Sequence, residues 1–138
     1  MKSVARFAAL FALPLLLACD DDGTGPTVAE VAGNYSLQTV NNQPLPYIFE
    51  QSTDFRLELT DIFITLNENG TFSEEVWYRE VDAGIVTEYP ETDGGTFVVD
   101  GNEVELHYAG GGVPLVGTIN GTSLRFSGNG LVFVFRQE

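Results

Sequence analysis

From Val31 onwards, apolar and polar residues alternate in short runs that are separated by turn residues. A period of two places successive side chains on opposite faces of a β-strand. Tight turns are indicated by Asn69-Gly70, Asn120-Gly121 and Asn129-Gly130, because Asn-Gly favours two-residue hairpins. Helical spacing is confined to about one turn at Val28–Val31. The predicted strands are residues 34–40, 55–66, 71–81, 85–89, 96–99, 103–108, 115–119, 123–127 and 131–136.

The second of these runs changes the face that carries its apolar residues. Phe55, Leu57 and Leu59 share one parity, whereas Ile62, Ile64 and Leu66 share the other. A shift by one residue moves side chains to the opposite face, so we expect a bulge or corner at Thr60-Asp61. Residues 41–46 and 90–95 contain Pro, Asn or Gly and are predicted to be loops.

Nine or so short strands joined mostly by tight turns predict an all-β fold. Sequential hairpins favour an antiparallel up-and-down meander over a Greek key, which needs long crossovers. A meander of about 8–10 strands would leave exposed edges unless it curled and closed. We therefore expect an antiparallel up-and-down barrel of about 8–10 strands, closed or nearly so.

Charge excludes one class of partner. The chain has six basic and twenty acidic residues. Lys2 and Arg6 precede Cys19, so residues 19–138 keep four arginines against twenty acids, a formal charge of −16. Nucleic-acid binding requires a basic surface, so we expect no nucleic-acid partner.

Catalytic and metal chemistry have weak support in the sequence. His107 is the only histidine, and its parity with Glu103 and Glu105 predicts that it faces solvent. Glu74-Glu75 and Asp54/Glu58/Asp61 are carboxylate sets without a recognised catalytic or calcium-loop pattern. Cys19 is the only cysteine, which excludes an internal disulfide. We expect no enzyme activity, no catalytic residue, no cofactor and no metal site.

The amino terminus has the pattern of an export signal. Lys2 and Arg6 precede the apolar run Phe7–Leu17, which is too short for a membrane-spanning helix of about 20 residues. An ordinary signal peptide cut elsewhere is one interpretation. The other is a lipoprotein signal, because Leu16-Leu17-Ala18-Cys19 resembles the lipobox of bacterial lipoproteins at all four positions.

The lipobox resemblance implies cleavage before Cys19 and acylation of that residue. Residues 1–18 would be the signal peptide. Residues 19–30 would be the lipidated Cys19 and a flexible acidic tether, which starts with Asp20, Asp21 and Asp22. Several acyl chains give stable anchoring. The chain is then expected in the bacterial cell envelope, attached to a membrane and facing the periplasm or the exterior. The choice between inner and outer membrane stays open.

Residues 31–138 resemble the small lipocalin-like lipoproteins of bacteria. The resemblance rests on Gly33-Asn34-Tyr35-Ser36-Leu37, Asn42–Pro46, Ile64–Phe72, Gly95-Thr96-Phe97 and Phe133-Val134-Phe135-Arg136. Tyr35 takes the place of the tryptophan in the lipocalin Gly-x-Trp motif. The family pattern implies that Arg136, on the last strand, lies over this aromatic ring. It also implies a lipocalin-like barrel that is monomeric.

Two functions follow from these patterns. The barrel either binds a small apolar or amphipathic molecule, or it is filled by its own side chains and serves as a structural or protein-interaction module of the envelope. Interior volume distinguishes them, since a ligand pocket needs about 300 Å³ or more. The parity of the strands gives the candidate ligand-binding residues: Tyr35, Leu37, Phe72, Tyr78, Phe97, Leu106, Phe126 and Phe133.

Overall fold

The computed structural model describes residues 25–138, so Cys19, the signal segment and most of the acidic tether lie outside the described residues. Within residues 25–138, one short helix is followed by ten strands. Their bounds are Val28–Val31 (α1), Gly33–Val40 (β1), Gln43–Pro44 (β2), Tyr47–Gln51 (β3), Phe55–Leu66 (β4), Thr71–Asp82 (β5), Ile85–Asp100 (β6), Glu103–Tyr108 (β7), Leu115–Asn120 (β8), Ser123–Gly128 (β9) and Leu131–Gln137 (β10).

The strands form a closed antiparallel barrel. From β4 to β10 each strand pairs with its sequence neighbour, and β10 pairs with β1. The additional pairing of β1 with β4, from Gly33↔Leu66 to Ser36↔Phe63, closes a barrel of eight strands. The predicted all-β, antiparallel meander barrel of lipocalin-like form is confirmed.

The antiparallel order gives the barrel two distinct ends. The base carries α1, the start of β1, the end of β10, and the β4–β5, β6–β7 and β8–β9 turns. The mouth carries the β5–β6, β7–β8 and β9–β10 turns together with β2 and β3. Gly25 packs against the β6–β7 turn so closely that a Cβ at Gly25 would overlap the backbone of Gly101. The chain therefore enters the barrel from the base.

Helix α1 covers the base of the barrel. Thr27 forms a capping box with Glu30, in which each side chain bonds the backbone N–H of the other. Val31 is buried, and its carbonyl oxygen accepts a hydrogen bond of 2.7 Å from the Tyr35 hydroxyl. The single helical turn expected at residues 28–31 is present. It overlaps the tether predicted for residues 19–30, so folded structure reaches into that segment.

The change of face predicted in β4 is confirmed. The register with β5 shifts between Leu59 and Asp61, which leaves Thr60 as an extra residue. Leu59, Ile62 and Ile64 consequently all point into the core. Of the three Asn-Gly pairs, Asn129-Gly130 forms the predicted two-residue turn, with both residues at positive φ as a type I′ hairpin requires. Asn120 still pairs with Ser123, and Asn69-Gly70 lies in a four-residue turn between β4 and β5.

Residues 90–95 belong to a strand, so the prediction of a loop there was wrong. β6 runs without interruption through Pro90 and pairs with β5 from Ile85 to Thr96, but β7 joins it only from Gly95 onwards. Pro90 therefore lies on a strand edge that lacks a second neighbour, where a missing N–H is tolerated. At Gly95 the backbones approach so closely that a Cβ would overlap the carbonyl of His107.

Residues 41–51 contain two strands outside the eight-stranded barrel. β2 pairs with the end of β1, and β3 pairs with the first half of β4 from Tyr47↔Leu59 to Gln51↔Arg56. The prediction of a loop at residues 41–46 is therefore wrong at β2, and the alternation of residues gave no prediction of β3. Together with residues 55–59 of β4, 78–82 of β5 and 85–89 of β6, β3 forms a sheet that extends past the barrel wall at the mouth, which we call the mouth sheet.

Candidate functional site

The eight candidate ligand-binding residues all face the barrel interior, as their parity predicts. Six of them are at most 4% exposed, and Tyr78 and Phe133 are partly buried against the same core cluster. The register explains this convergence, because Phe126 opposes Phe133 and Phe97 opposes Leu106 across neighbouring strands. The six buried residues are Tyr35, Leu37, Phe72, Phe97, Leu106 and Phe126.

The interior is filled by these side chains. A cavity of about 80 Å³ borders two of the candidates, Phe126 and Phe133, together with Ile62, Ile64, Glu74, Leu115 and Phe135. Binding pockets for drug-sized molecules have about 300–1,000 Å³. The Phe126 ring also packs directly onto Gly117, where a Cβ would come within 2.5 Å of the ring. The aromatic residues therefore fill the barrel rather than line a chamber.

Larger clefts lie where polar side chains reach the surface. One of about 220 Å³ lies at the far end of the mouth sheet, between the β3–β4 and β5–β6 turns, and includes Asp54 and Arg56. Another of about 260 Å³ lies on β4, β5 and β6 and includes Glu74, Glu75 and Asp93. Neither is bordered by any of the eight candidate residues.

One carboxylate points into the barrel. Glu74 lies between the inward-facing Phe72 and Val76, and it opposes Ile64 on β4. Its Oε2 accepts a hydrogen bond of 3.0 Å from the Tyr108 hydroxyl. Burial raises the pKa of Glu74, and burial together with the neighbouring carboxylate raises the pKa of Tyr108. In the sequence Glu74 stands out only as half of a Glu-Glu pair, although the parity of β5 is sufficient to place it inside.

Another carboxylate, which is almost fully buried, lies on the outer face of the mouth sheet. Glu58 is only 3% exposed. The Nε of Arg79 donates to its Oε2 at 2.6 Å, and the Nε of Arg56 lies 2.8 Å from its Oε1. The Arg56 Nε makes no hydrogen bond despite the short distance, so its contact with Glu58 is an ion pair. Register brings the groups together, since Glu58 opposes Arg79 and Arg56 lies two residues along the strand.

Four aromatic rings form a row on the inner face of the mouth sheet, which we call the aromatic shelf: Tyr47, Phe49, Tyr78 and Tyr89. Successive ring centroids are 5.4, 6.4 and 5.7 Å apart in that order. Phe49 joins the row because β3 has a register shift between Ile48 and Glu50. It is 40% exposed, and Tyr89 is partly exposed, so the shelf is an open surface.

Carboxylates surround the aromatic shelf. Residues 71–95 contain seven acidic residues and one basic residue, Arg79, which pairs with Glu58 on the opposite face. Glu80 and Glu91 lie two residues along their strands from Tyr78 and Tyr89, so they share the face of the shelf. Burial raises the pKa of Tyr78, and the charges of Glu91 and Glu74 raise it further.

The carboxy-terminal strand differs from the lipocalin pattern at Arg136. This residue opposes Ser36 and is exposed, whereas Gln137 opposes Tyr35. The expectation that Arg136 lies over the aromatic ring of Tyr35 is therefore wrong. Gln137 lies at that end of the strand instead, and its Nε2 donates a hydrogen bond of 3.2 Å to the carbonyl of Ala32 beside α1.

The remaining chemical candidates are few. His107 is half-exposed, as predicted, and its Nε2 lies 3.3 Å from Glu105 Oε2. Within residues 25–138, no three His, Cys, Asp or Glu side chains are grouped so that they could hold a metal ion. The same residues include no helix with the length and apolar character needed to cross a membrane. The predicted lipidation site, Cys19, lies outside the described residues.

Comparisons with protein-family models, with curated proteins and with solved structures found no match for this chain.

Proposed function

We propose that this protein is a lipid-anchored component of the bacterial cell envelope whose filled barrel serves as a non-enzymatic interaction module. The observation that carries the proposal is the small interior cavity of about 80 Å³, which is well below the volume of a ligand pocket. A carrier of apolar molecules needs space inside the barrel. An interaction module needs a rigid scaffold and an accessible surface, and the mouth sheet provides such a surface.

The position of the chain termini supports the anchored part of the proposal. The chain enters at the base, where Gly25 packs against Gly101. A lipid on Cys19 would therefore hold the base towards the membrane and leave the mouth sheet directed away from it. The six residues 20–25 reach about 20 Å when extended, which separates the base from the headgroups. The formal charge of −16 also keeps the domain away from anionic lipid surfaces.

Native mass spectrometry tests whether the barrel carries a molecule. The full chain is purified from its own envelope in a mild non-ionic detergent and its mass is compared with that of the refolded polypeptide. We expect the difference to be limited to covalent modification of the amino terminus. A small apolar molecule that co-purifies at one copy per chain would refute the filled-barrel proposal and favour a carrier.

Metabolic labelling with an alkyne-bearing fatty acid tests the anchor. We expect label on the wild-type chain and none on Cys19→Ser, because the thiol is the only acceptor for the diacylglycerol thioether. Asp20→Asn is the matched control, since it changes the adjacent residue and keeps the thiol. An unlabelled wild-type chain, or label that persists in Cys19→Ser, would refute lipidation at Cys19.

A further inference from the structure

We propose that the aromatic shelf is a docking site for an extended, arginine-bearing segment of a partner protein, a proposal that rests on the interaction role proposed above. The shelf combines two features that a cationic side chain recognises. It contains four neighbouring rings, of which Phe49 is the most exposed at 40%, and it lies among carboxylates on the same face of the mouth sheet.

The negative charge around the aromatic shelf favours a positively charged partner. The β5–β6 hairpin has a local formal charge of −6 over residues 71–95, and its only arginine is bound to Glu58 on the other face. Anionic phospholipid headgroups, nucleic acids and a second copy of this acidic chain would all be repelled. A basic partner would gain attraction at long range and ion pairs on contact.

Ring chemistry favours arginine within that class. A cation over an aromatic ring is attracted by the ring quadrupole, and a planar guanidinium can stack on the ring while it donates to a carboxylate. Glu80 lies two residues from Tyr78, and Glu91 lies two residues from Tyr89, on the same face of their strands. That separation, about 7 Å along a strand, places an acceptor within reach of a guanidinium stacked on either ring.

Spacing favours a polypeptide over a single small cation. The ring centroids of the shelf follow one another at 5.4–6.4 Å. Alternate side chains of an extended chain repeat at about 6.6–6.8 Å. An extended segment with arginine at every second position would therefore place successive guanidinium groups near successive rings.

Fluorescence anisotropy with a labelled peptide, Arg-Ser-Arg-Ser-Arg, tests the proposal. The full chain is held in a non-ionic detergent, and a peptide with citrulline in place of each arginine provides a neutral comparison of the same shape. We expect saturable binding of the arginine peptide that weakens as the ionic strength rises from about 0.01 M to 0.15 M. The citrulline peptide should bind at least about tenfold more weakly.

Matched variants locate the site. Phe49→Ser, on the shelf, is compared with Phe63→Ser on β4, because the two side chains are 40% and 38% exposed. Glu91→Gln, beside the shelf, is compared with Glu68→Gln in the β4–β5 turn at the base. We expect each shelf variant to weaken binding about fivefold and each control to leave it unchanged.

The outcomes separate this proposal from the one it rests on. Absence of arginine-peptide binding, equal binding of the citrulline peptide, or equal losses in Phe49→Ser and Phe63→Ser would overturn the shelf as an arginine site. The interaction role would then still stand if native mass spectrometry shows no co-purifying molecule. A co-purifying apolar molecule would refute that role whatever the peptide does.

Discussion

The hydrogen bond between Tyr35 and Val31 predicts a measurable loss of stability when one oxygen is removed. Tyr35 is 2% exposed, and its hydroxyl donates to the carbonyl of Val31 at 2.7 Å. This bond ties α1 to β1 at the base of the barrel. Burial raises the pKa of Tyr35, so the hydroxyl keeps its proton and remains a donor at pH 7. Tyr35→Phe keeps the ring and its packing but leaves the carbonyl without this donor.

The size of the loss follows from the burial of this pair. A net protein hydrogen bond contributes about 0.5–1.5 kcal/mol, and a buried acceptor without a partner costs about 1–3 kcal/mol. We therefore expect the free energy of unfolding to fall by about 1–2 kcal/mol in Tyr35→Phe. An unfolding entropy of about 2.1 cal/mol/K per residue converts each kcal/mol into about 4 °C for a domain of this size. The expected decrease in Tm is then roughly 4–8 °C.

Circular dichroism during heating and during urea titration measures this change. Tyr89→Phe is the matched control, because it removes the same hydroxyl from a partly exposed tyrosine on the aromatic shelf. We expect the control to stay within about 0.5 kcal/mol of the wild type. A loss below about 0.5 kcal/mol in Tyr35→Phe, or an equal loss in Tyr89→Phe, would refute the argument that this buried bond holds α1 in place.

Three further substitutions test other parts of the fold. Glu74→Gln removes a partly buried charge and keeps an acceptor for Tyr108, so we expect higher stability than wild type at pH 7. Because the folded-state pKa of Glu74 is raised, the stability of the wild type increases as the pH falls from that pKa towards the ordinary pKa of a glutamate. The advantage of Glu74→Gln therefore shrinks over the same pH range. Parallel pH profiles of the two proteins in urea titrations would contradict this. Glu58→Gln should lower the free energy of unfolding by about 1–3 kcal/mol, a value between those for exposed and buried ion pairs. The reason is that the two arginine side chains that Glu58 contacts are 41% and 32% exposed. A loss below about 0.5 kcal/mol at low salt would contradict the pairing. Gly95→Ala should lower the free energy of unfolding by about 3 kcal/mol or more, because its Cβ would overlap a neighbouring backbone. Gly110→Ala is the control, because its Cβ meets open space and the variant should melt almost as the wild type does. Equal melting temperatures of the two variants would show that the close approach at Gly95 is not needed.

The alternation of residues was sufficient to predict the barrel and the direction of its side chains. Strand faces depend on a local period of two, and tight turns depend on a few residues such as Asn129 and Gly130. The same reasoning placed the bulge at Thr60. It placed all eight candidate residues on the inner face, although a period of two does not say whether that interior is empty or filled.

The volume of the barrel interior and the pairing between neighbouring strands were decided by the tertiary structure. The cavity of about 80 Å³ results from how rings on different strands meet, as when Phe126 packs onto Gly117. Pro90 could join a strand because β6 lacks a second neighbour there, a fact that depends on where β7 ends. The position of Arg136 against Ser36 similarly depends on the register of β10 with β1.

The candidate binding surface shows the same division between sequence and structure. The sequence by itself determined that the β5–β6 region is acidic and that Tyr78 faces inwards. Only the tertiary structure brought Tyr47 and Phe49 from β3 beside Tyr78 and Tyr89, because β3 pairs with β4 outside the closed barrel. The physical reason is that side-chain direction is a property of one strand, whereas neighbours across a sheet depend on pairing between strands that are distant in the sequence.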